Sequence, residues 1–349
     1  MSTIRQMIEN MRELQNSTPA TDTELVNRPV TFKNLIINGD FSVWQRGTSK
    51  AYTNSVGGYH TADRVYTKNN SDGQFTVSKS EMNGSNSVKL TVDTAVSDLT
   101  TTKYWYGLSH KFEGHRLYTT AKQGKVVTLS FLFKSNVTGK FSVSMRNLTD
   151  MRTNIDSYVT SFDYTVSGVV QKVEIQIPLN HAFNPALQNN SNMGFNIAIG
   201  FLNQESFATS TTEQWQTGNY LCTPDCVNWG ATAGNYFEIA ELQLEEGEVA
   251  TAFERVPYDI QLQRCMRYYR KTKDWVLLSS IANDVGRVHN AYLSPLMRTT
   301  PSYLEIATSG CSVSNTNMSY TAEDHLDIRY KASSDTTSAF VKYELDAEL

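Results

Sequence analysis

From about residue 30 to about residue 253 the apolar residues recur with a period of two, and no other feature limits the possible folds as much. Lys140-Phe141-Ser142-Val143-Ser144-Met145 and Lys172-Val173-Glu174-Ile175-Gln176-Ile177 put every second side chain on one face. Val126-Val127-Thr128-Leu129-Ser130-Phe131-Leu132-Phe133 is a run of β-branched and aromatic residues suited to a central strand. Further strands are expected over 74–77, 87–92, 195–199 and 236–244, separated by turn signals such as Ser71-Asp72-Gly73, Asn83-Gly84-Ser85 and Val137-Thr138-Gly139. Many short strands without intervening amphipathic helices predict a mainly β fold, an antiparallel jelly-roll sandwich spanning 31–256.

Helical periodicity is confined to two places. Ile4, Met7, Met11 and Leu14, with Ile8 beside them, fall on one face of a helix over 1–16, and Thr3 with Gln6 forms a capping box. A helix this short is marginal alone, and a polar linker over 17–30 separates it from the sandwich, so self-association or anchoring to a partner is expected of it. A connecting helix over 257–272 opens at Pro257 and lines up Leu262, Cys265, Met266 and Tyr269. Its apolar face, through Leu262, Met266 and Tyr269, is a second candidate oligomerisation surface. Residues 273–349 return to short β-like pieces and predict a small C-terminal β domain that packs against a neighbour or a symmetry mate.

Several functions are disfavoured by the same sequence. The chain has 349 residues with a formal net charge of −4, so its field does not draw it to nucleic acid. No run approaches the roughly 18 apolar residues of a membrane span, and no membrane insertion is expected. Met1-Ser2-Thr3-Ile4-Arg5-Gln6 lacks the apolar core of a secretion signal. The four cysteines, Cys222, Cys226, Cys265 and Cys311, are too few for a disulfide framework. Cys222 and Cys226 can be ordinary thiols, a local disulfide or half of a metal site. His110 and His115 have neither helical nor metal-ligand spacing, and nucleophile-elbow, zincin and Walker patterns are absent. No enzymatic activity is expected.

Three stretches read together resemble a family of bacteriophage tail-fibre and virion appendage proteins with a carbohydrate-binding-module-like jelly roll. The first is Asn34-Leu35-Ile36-Ile37-Asn38-Gly39-Asp40-Phe41-Ser42-Val43-Trp44-Gln45-Arg46-Gly47-Thr48 with Thr61-Ala62-Asp63-Arg64, where Val65 stands in place of the family's usual Trp. The second is Phe112-Glu113-Gly114 leading into Gly124-Lys125-Val126. The third is Phe237-Glu238-Ile239-Ala240-Glu241-Leu242-Gln243-Leu244-Glu245, then Ala252-Phe253-Glu254-Arg255 and Cys265-Met266-Arg267-Tyr268-Tyr269, with Pro295-Leu296-Met297-Arg298-Thr299-Thr300-Pro301 beyond. The resemblance implies a virion protein made in the host cytoplasm, a homotrimer joined through its N-terminal helix to other proteins of the tail or capsid. It also implies contact with host-surface glycans, while a free carbohydrate-binding lectin is the alternative. Such modules often hold a structural calcium, for which Asp40, Glu238 and Glu241 are available, although Ala240 stands where many carry Asp. No other cofactor is implied.

For glycan binding, the aromatic residues Trp105, Trp215, Tyr220 and Trp229 are the candidates. Trp105 lies in the triplet Tyr104-Trp105-Tyr106, and the other three lie in a polar stretch expected to be a long loop. The competing reading is that these rings fill the core or a subunit interface.

Overall fold

The computed structural model describes residues 32–97, 99, 103–149, 155–183, 186–203, 205–272, 276–281, 287–309, 311–312, 325–332 and 336–349. The predicted N-terminal helix with Ile4, Met7, Ile8, Met11 and Leu14, and the linker 17–30, lie outside the described residues. Residues 34–349 form one compact unit.

The body is an antiparallel sandwich of two sheets. Its strands are β1 (Ser49–Tyr52), β2 (Gly57–Gly58), β3 (Tyr66–Asn70), β4 (Gln74–Met82), β5 (Ser85–Thr94), β6 (Tyr104–Glu113), β7 (Val126–Ser135), β8 (Gly139–Asn147), β9 (Asp156–Tyr164), β10 (Gln171–Pro178), β11 (Met193–Ile199), β12 (Trp215–Thr217) and β13 (Tyr236–Glu246). One sheet has six strands in the order β1-β4-β5-β13-β7-β10, the other seven in the order β12-β9-β8-β11-β6-β3-β2. The chain crosses repeatedly between them, as a jelly roll requires.

Strand alternation accounts for the core. Val127, Leu129, Phe131 and Phe133 of β7 face Phe141, Val143 and Met145 of β8 and Phe195, Ile197 and Ile199 of β11. In β13 the inward set changes phase, from Phe237 and Ile239 to Leu242 and Leu244. The cause is a bulge between Ala240 and Gln243, with Glu241 at φ +52°. Aromatic rings run through the middle in contact. Phe75 lies 4.8 Å from Trp105, Trp105 5.2 Å from Trp229, and Trp229 4.8 Å from Phe237. Phe237 continues the series to Phe133 at 5.8 Å, and Phe133 to Phe141 at 4.7 Å.

Trp105 and Trp229 are both 0% exposed, which corrects their assignment as glycan candidates. Neither presents a ring face to solvent. Trp229 opens a single 3-10 turn (Trp229–Ala231), and its Nε1 donates to the Gly200 carbonyl at 3.0 Å.

Helix α1 (Gly114–Lys122), between β6 and β7, departs from the period-two pattern of the sequence around it. Only Gly114, Leu117 and Thr120 are buried in it, too weak an apolar stripe to read against the surrounding strands. Helix α2 spans Tyr258–Met266, shorter than the expected 257–272. Its residue Leu262 packs with Ile37, Val43, Cys265 and Tyr268 of the same chain. Tyr269 is not helical at all. It begins β14 (Tyr269–Lys271), is 3% exposed, and pairs with Asp346. Leu262, itself half-buried, and Tyr269 are therefore used within the chain, and Met266 of the proposed oligomerisation face is half-buried as well.

Beyond it come β15 (Val276–Ile281), β16 (Arg287–Tyr292), β17 (Ser302–Ser309), β18 (Cys311–Ser312), β19 (His325–Ala332) and β20 (Thr336–Asp346). Strand β20 pairs with β14, β15 and β17, while β16, β19 and β18 form a separate three-stranded sheet.

Trp229→Ala should cost about 3–5 kcal/mol in urea denaturation, because a fully buried ring leaves a cavity behind. A surface tryptophan at this position would change stability by less than about 0.5 kcal/mol.

Candidate functional site

Two places gather the chemistry of the described residues. The first is built from the sequence motifs themselves. Asn38, at φ +62° and 1% exposed, donates through Nδ2 to the carbonyls of Val43 and Asp63, each at 2.9 Å, and accepts from the Val43 amide at 3.0 Å. Three bonds from one buried amide close the turn and tie it to residue 63. Gly39 follows because a Cβ there would lie 2.0 Å from the Leu242 carbonyl oxygen.

On this turn rests a cluster of charges. Arg64 is 1% exposed, with its guanidinium carbon 3.6 Å above the Tyr268 ring. It pairs with Glu348 and donates to the Lys111 carbonyl at 2.6 Å. Arg46 stacks 3.5 Å over Tyr269 and pairs with Asp346 at 3.0 Å and Glu348 at 3.3 Å. Arg298 donates to the carbonyls of Ala347 at 2.8 Å and Glu348 at 3.0 Å, and Lys111 to that of Leu349 at 2.6 Å. Arg267 holds Glu113 with two donors, at 3.2 and 2.9 Å, and the Tyr268 hydroxyl donates to the same carboxylate. The motif residues thus form a latch that clamps the segment 346–349 onto the sandwich. Burial draws the Lys111 ammonium down to about 8, with the Arg64 charge adding to the effect.

The calcium candidates have other partners. Glu238 accepts from Ser87, Glu241 from Ser85 at 2.7 Å and Arg255 at 2.6 Å, and Asp40 from Ser42 at 3.1 Å and Gln261 at 3.2 Å. Among the described residues no group of three or more His, Cys, Asp or Glu side chains is arranged to hold a metal ion. Cys222 and Cys226 are both free, buried thiols. The Cys222 Sγ donates to the Asn203 carbonyl at 2.7 Å, while Cys226 meets Ser142 and Thr223.

The second place is a cleft along the edge of the sandwich. Strand β12 pairs only with Asp156–Tyr158 of β9, leaving the remainder of β9 along an edge beside β10. Two adjoining cavities of about 590 and 430 Å³ lie there, sharing Thr160, Ser161 and Glu213. Trp215 stands behind the cleft. Its Nε1 donates to the Pro178 carbonyl at 2.6 Å and its ring lies 5.8 Å from that of Tyr158, both residues lining the cleft wall. Burial pushes the Tyr158 hydroxyl up to about 12, with the Glu213 charge adding to it. Tyr220 is half-buried and its amide donates to Ser157 Oγ at 3.1 Å. Of the four aromatic candidates, Trp215 marks the cleft and supports its wall. The hydroxyl and carboxylate residues that line it gave no signal in the sequence beyond β-alternation.

No family model matches the chain, and no curated protein matches it. Among solved structures, the enzymatically active domain of bacteriophage CBA120 tailspike protein 4 aligns with 61% of this chain at 12% identity and a TM-score of 0.31. This chain covers only 21% of the length of that one. The family 11 carbohydrate-binding module of the Clostridium thermocellum cellulase Lic26A-Cel5E aligns over 62% of this chain and 97% of its own, at 13% identity and a TM-score of 0.30. The CBM22-2 xylan-binding domain of Paenibacillus barcinonensis Xyn10C gives 61% and 99%, at 12% identity and a TM-score of 0.29.

Removing Glu348 strands a buried guanidinium, so Glu348→Ala should cost about 3–5 kcal/mol and speed amide exchange in β14 and β20. Glu246→Ala, which breaks an exposed pair with Lys125, should cost less than about 1 kcal/mol.

The latch also predicts a pH dependence. Burial pushes the Asp63 carboxyl up from 3.8 to about 6, against the pull of Arg46 and two Gln45 donors. The folded protein then keeps a proton that the unfolded chain releases, so this group's contribution falls as pH rises from about 4 to about 6, by up to about 3 kcal/mol. Denaturation of wild type and Asp63→Asn across that window should show the decline in the wild type alone.

Proposed function

We propose that the chain is a structural, non-catalytic component of a bacteriophage virion, a trimeric tail fibre or related appendage that contacts host-surface glycans. One observation carries this reading. The motifs that resemble the appendage family, though far apart in sequence, meet in the latch, where Asn38, Arg46, Asp63, Arg64, Glu113, Arg267, Tyr268 and Arg298 all hold the scaffold together. Their chemistry is that of assembly, not of catalysis. His110, just before the second motif, fits the same account. His110 is 3% exposed, its ring 4.8 Å from Phe112, and burial first, then the Arg64 charge, holds its pKa well below the usual imidazole range. An imidazole kept neutral among strands serves packing.

In this reading residues 1–16 join the subunits or anchor them to other virion proteins, because the apolar face of α2 is largely spent within the chain. Light scattering on the full-length protein should give about 118 kDa, three chains of 39.2 kDa. Deletion of residues 1–16 should leave a folded body of lower mass. A full-length mass of one chain would overturn the trimer.

A further inference from the structure

A ligand of the sandwich would ordinarily have the broad outer face of the seven-stranded sheet to lie on, but here the chain itself closes that face. Ser142, Ser144 and Arg146 of β8 and Asn196 and Ala198 of β11 point away from the core, yet all are buried. Phe201, Leu221 and Cys222 pack over Ala198, and the segment 346–349 lies across Lys111 and Arg64. The cleft at the β9–β10 edge is open by contrast.

We propose that this edge cleft binds an uncharged oligosaccharide, with the Thr160 and Ser161 hydroxyls and the Glu213 carboxylate as its hydrogen-bonding groups and Phe162 as its apolar wall. This rests on the glycan-contacting part of the reading above. Sugar hydroxyls both donate and accept, and serine and threonine hydroxyls match them in both senses, while a carboxylate accepts from two at once. The two cavities together are of the size that holds an extended ligand, and each alone is within the usual range for a small-molecule site.

Glu213 gives the cleft its polarity. Its carboxylate makes no hydrogen bond or ion pair with the described residues, and its backbone sits at φ +59°, a left-handed conformation that strains a residue with a Cβ. The amide of Glu213 donates to the Val159 carbonyl at 2.9 Å, which pins the residue at the junction of the two cavities. Among the described residues its charge acts on the Tyr158 hydroxyl of the cleft wall. The other charges around it select against anions. Lys140 is already paired with Asp225 at 2.6 Å, and Glu174 with Lys172 at 2.5 Å, while Glu248 adds a further carboxylate to the wall. An acidic glycan would meet net negative charge.

The test is calorimetric titration of the full-length protein with isomaltohexaose, maltohexaose, cellohexaose and mannohexaose, and with hexagalacturonate as the anionic probe. Binding of at least one neutral hexaose and none of hexagalacturonate is expected. Thr160→Val and Glu213→Gly should each raise Kd at least tenfold. Glycine relieves the backbone at 213, so that variant should melt no lower than the wild type and loss of binding would not be loss of fold. Failure to bind all four neutral probes overturns the proposal, as does binding untouched by both substitutions or preference for the anion. A trimeric mass in the same samples would leave the appendage reading standing without this site. A monomeric mass with binding intact would do the reverse.

Discussion

A guanidinium that has lost nearly all its water must be answered by fixed charge, and Arg64 is answered by Glu348, 284 residues away in sequence. The arrangement around it makes the pairing possible. Tyr268 lies flat beneath the guanidinium, Arg46 shares the same carboxylate, and Arg298 fixes the backbone that carries it. Distant parts of the chain each contribute: the loops carrying Arg46 and Arg64, the strand β6 through Lys111, Tyr268 after α2, Arg298, and the chain from the end of β20 onward. This shared charge ties the loops carrying Arg46 and Arg64, the segment after α2 and the end of the chain to one another. Such a pair adds little net stability compared with apolar packing, but it is costly to break from one side. It therefore fixes which segment docks where.

The β architecture was legible because alternation is a local property. Lys140 to Met145 and Lys172 to Ile177 declare their inward faces without reference to any partner, and both became strands of the sandwich. The fate of the tryptophans was not legible. Trp105 alternates with two tyrosines, which tells that it faces away from them but not which side is the core. Trp229 sits in a polar loop that folds inward, and its depth depends on Gly230 lying close against Trp105. The period-two pattern also assumes that one sheet face meets solvent. Ser142, Ser144 and Asn196 were polar as that rule asks, yet a long loop covers them, and loop paths leave no periodic trace.

The latch was half legible. The order of motifs marked Arg46, Asp63, Arg64 and Tyr268 as a set, with Asp63 and Arg64 adjacent in sequence. The structure separates them. Asp63 accepts from Gln45 at 2.9 Å, whereas Arg64 reaches the far end of the chain. Contacts of such sequence separation are decided by topology, and only the assembled sheets bring residue 64 to residue 348. The edge cleft was less legible still, since Thr160, Ser161 and Glu213 belong to ordinary polar stretches. Only Trp215 pointed toward it.

The turn at Asn38 has a mechanical consequence. Asn34, at the start of the compact unit, bonds to Leu242 and Leu244 of β13, and five residues later the same strand meets Gly39. Arg46, eight residues beyond Asn38, grips Asp346 and Glu348. Tension entering at residue 34 and leaving at residue 349 would therefore travel through one short turn and its clamp. In a tethered molecule the clamp would be the first part to yield, and the sandwich could outlast many such failures with its core intact.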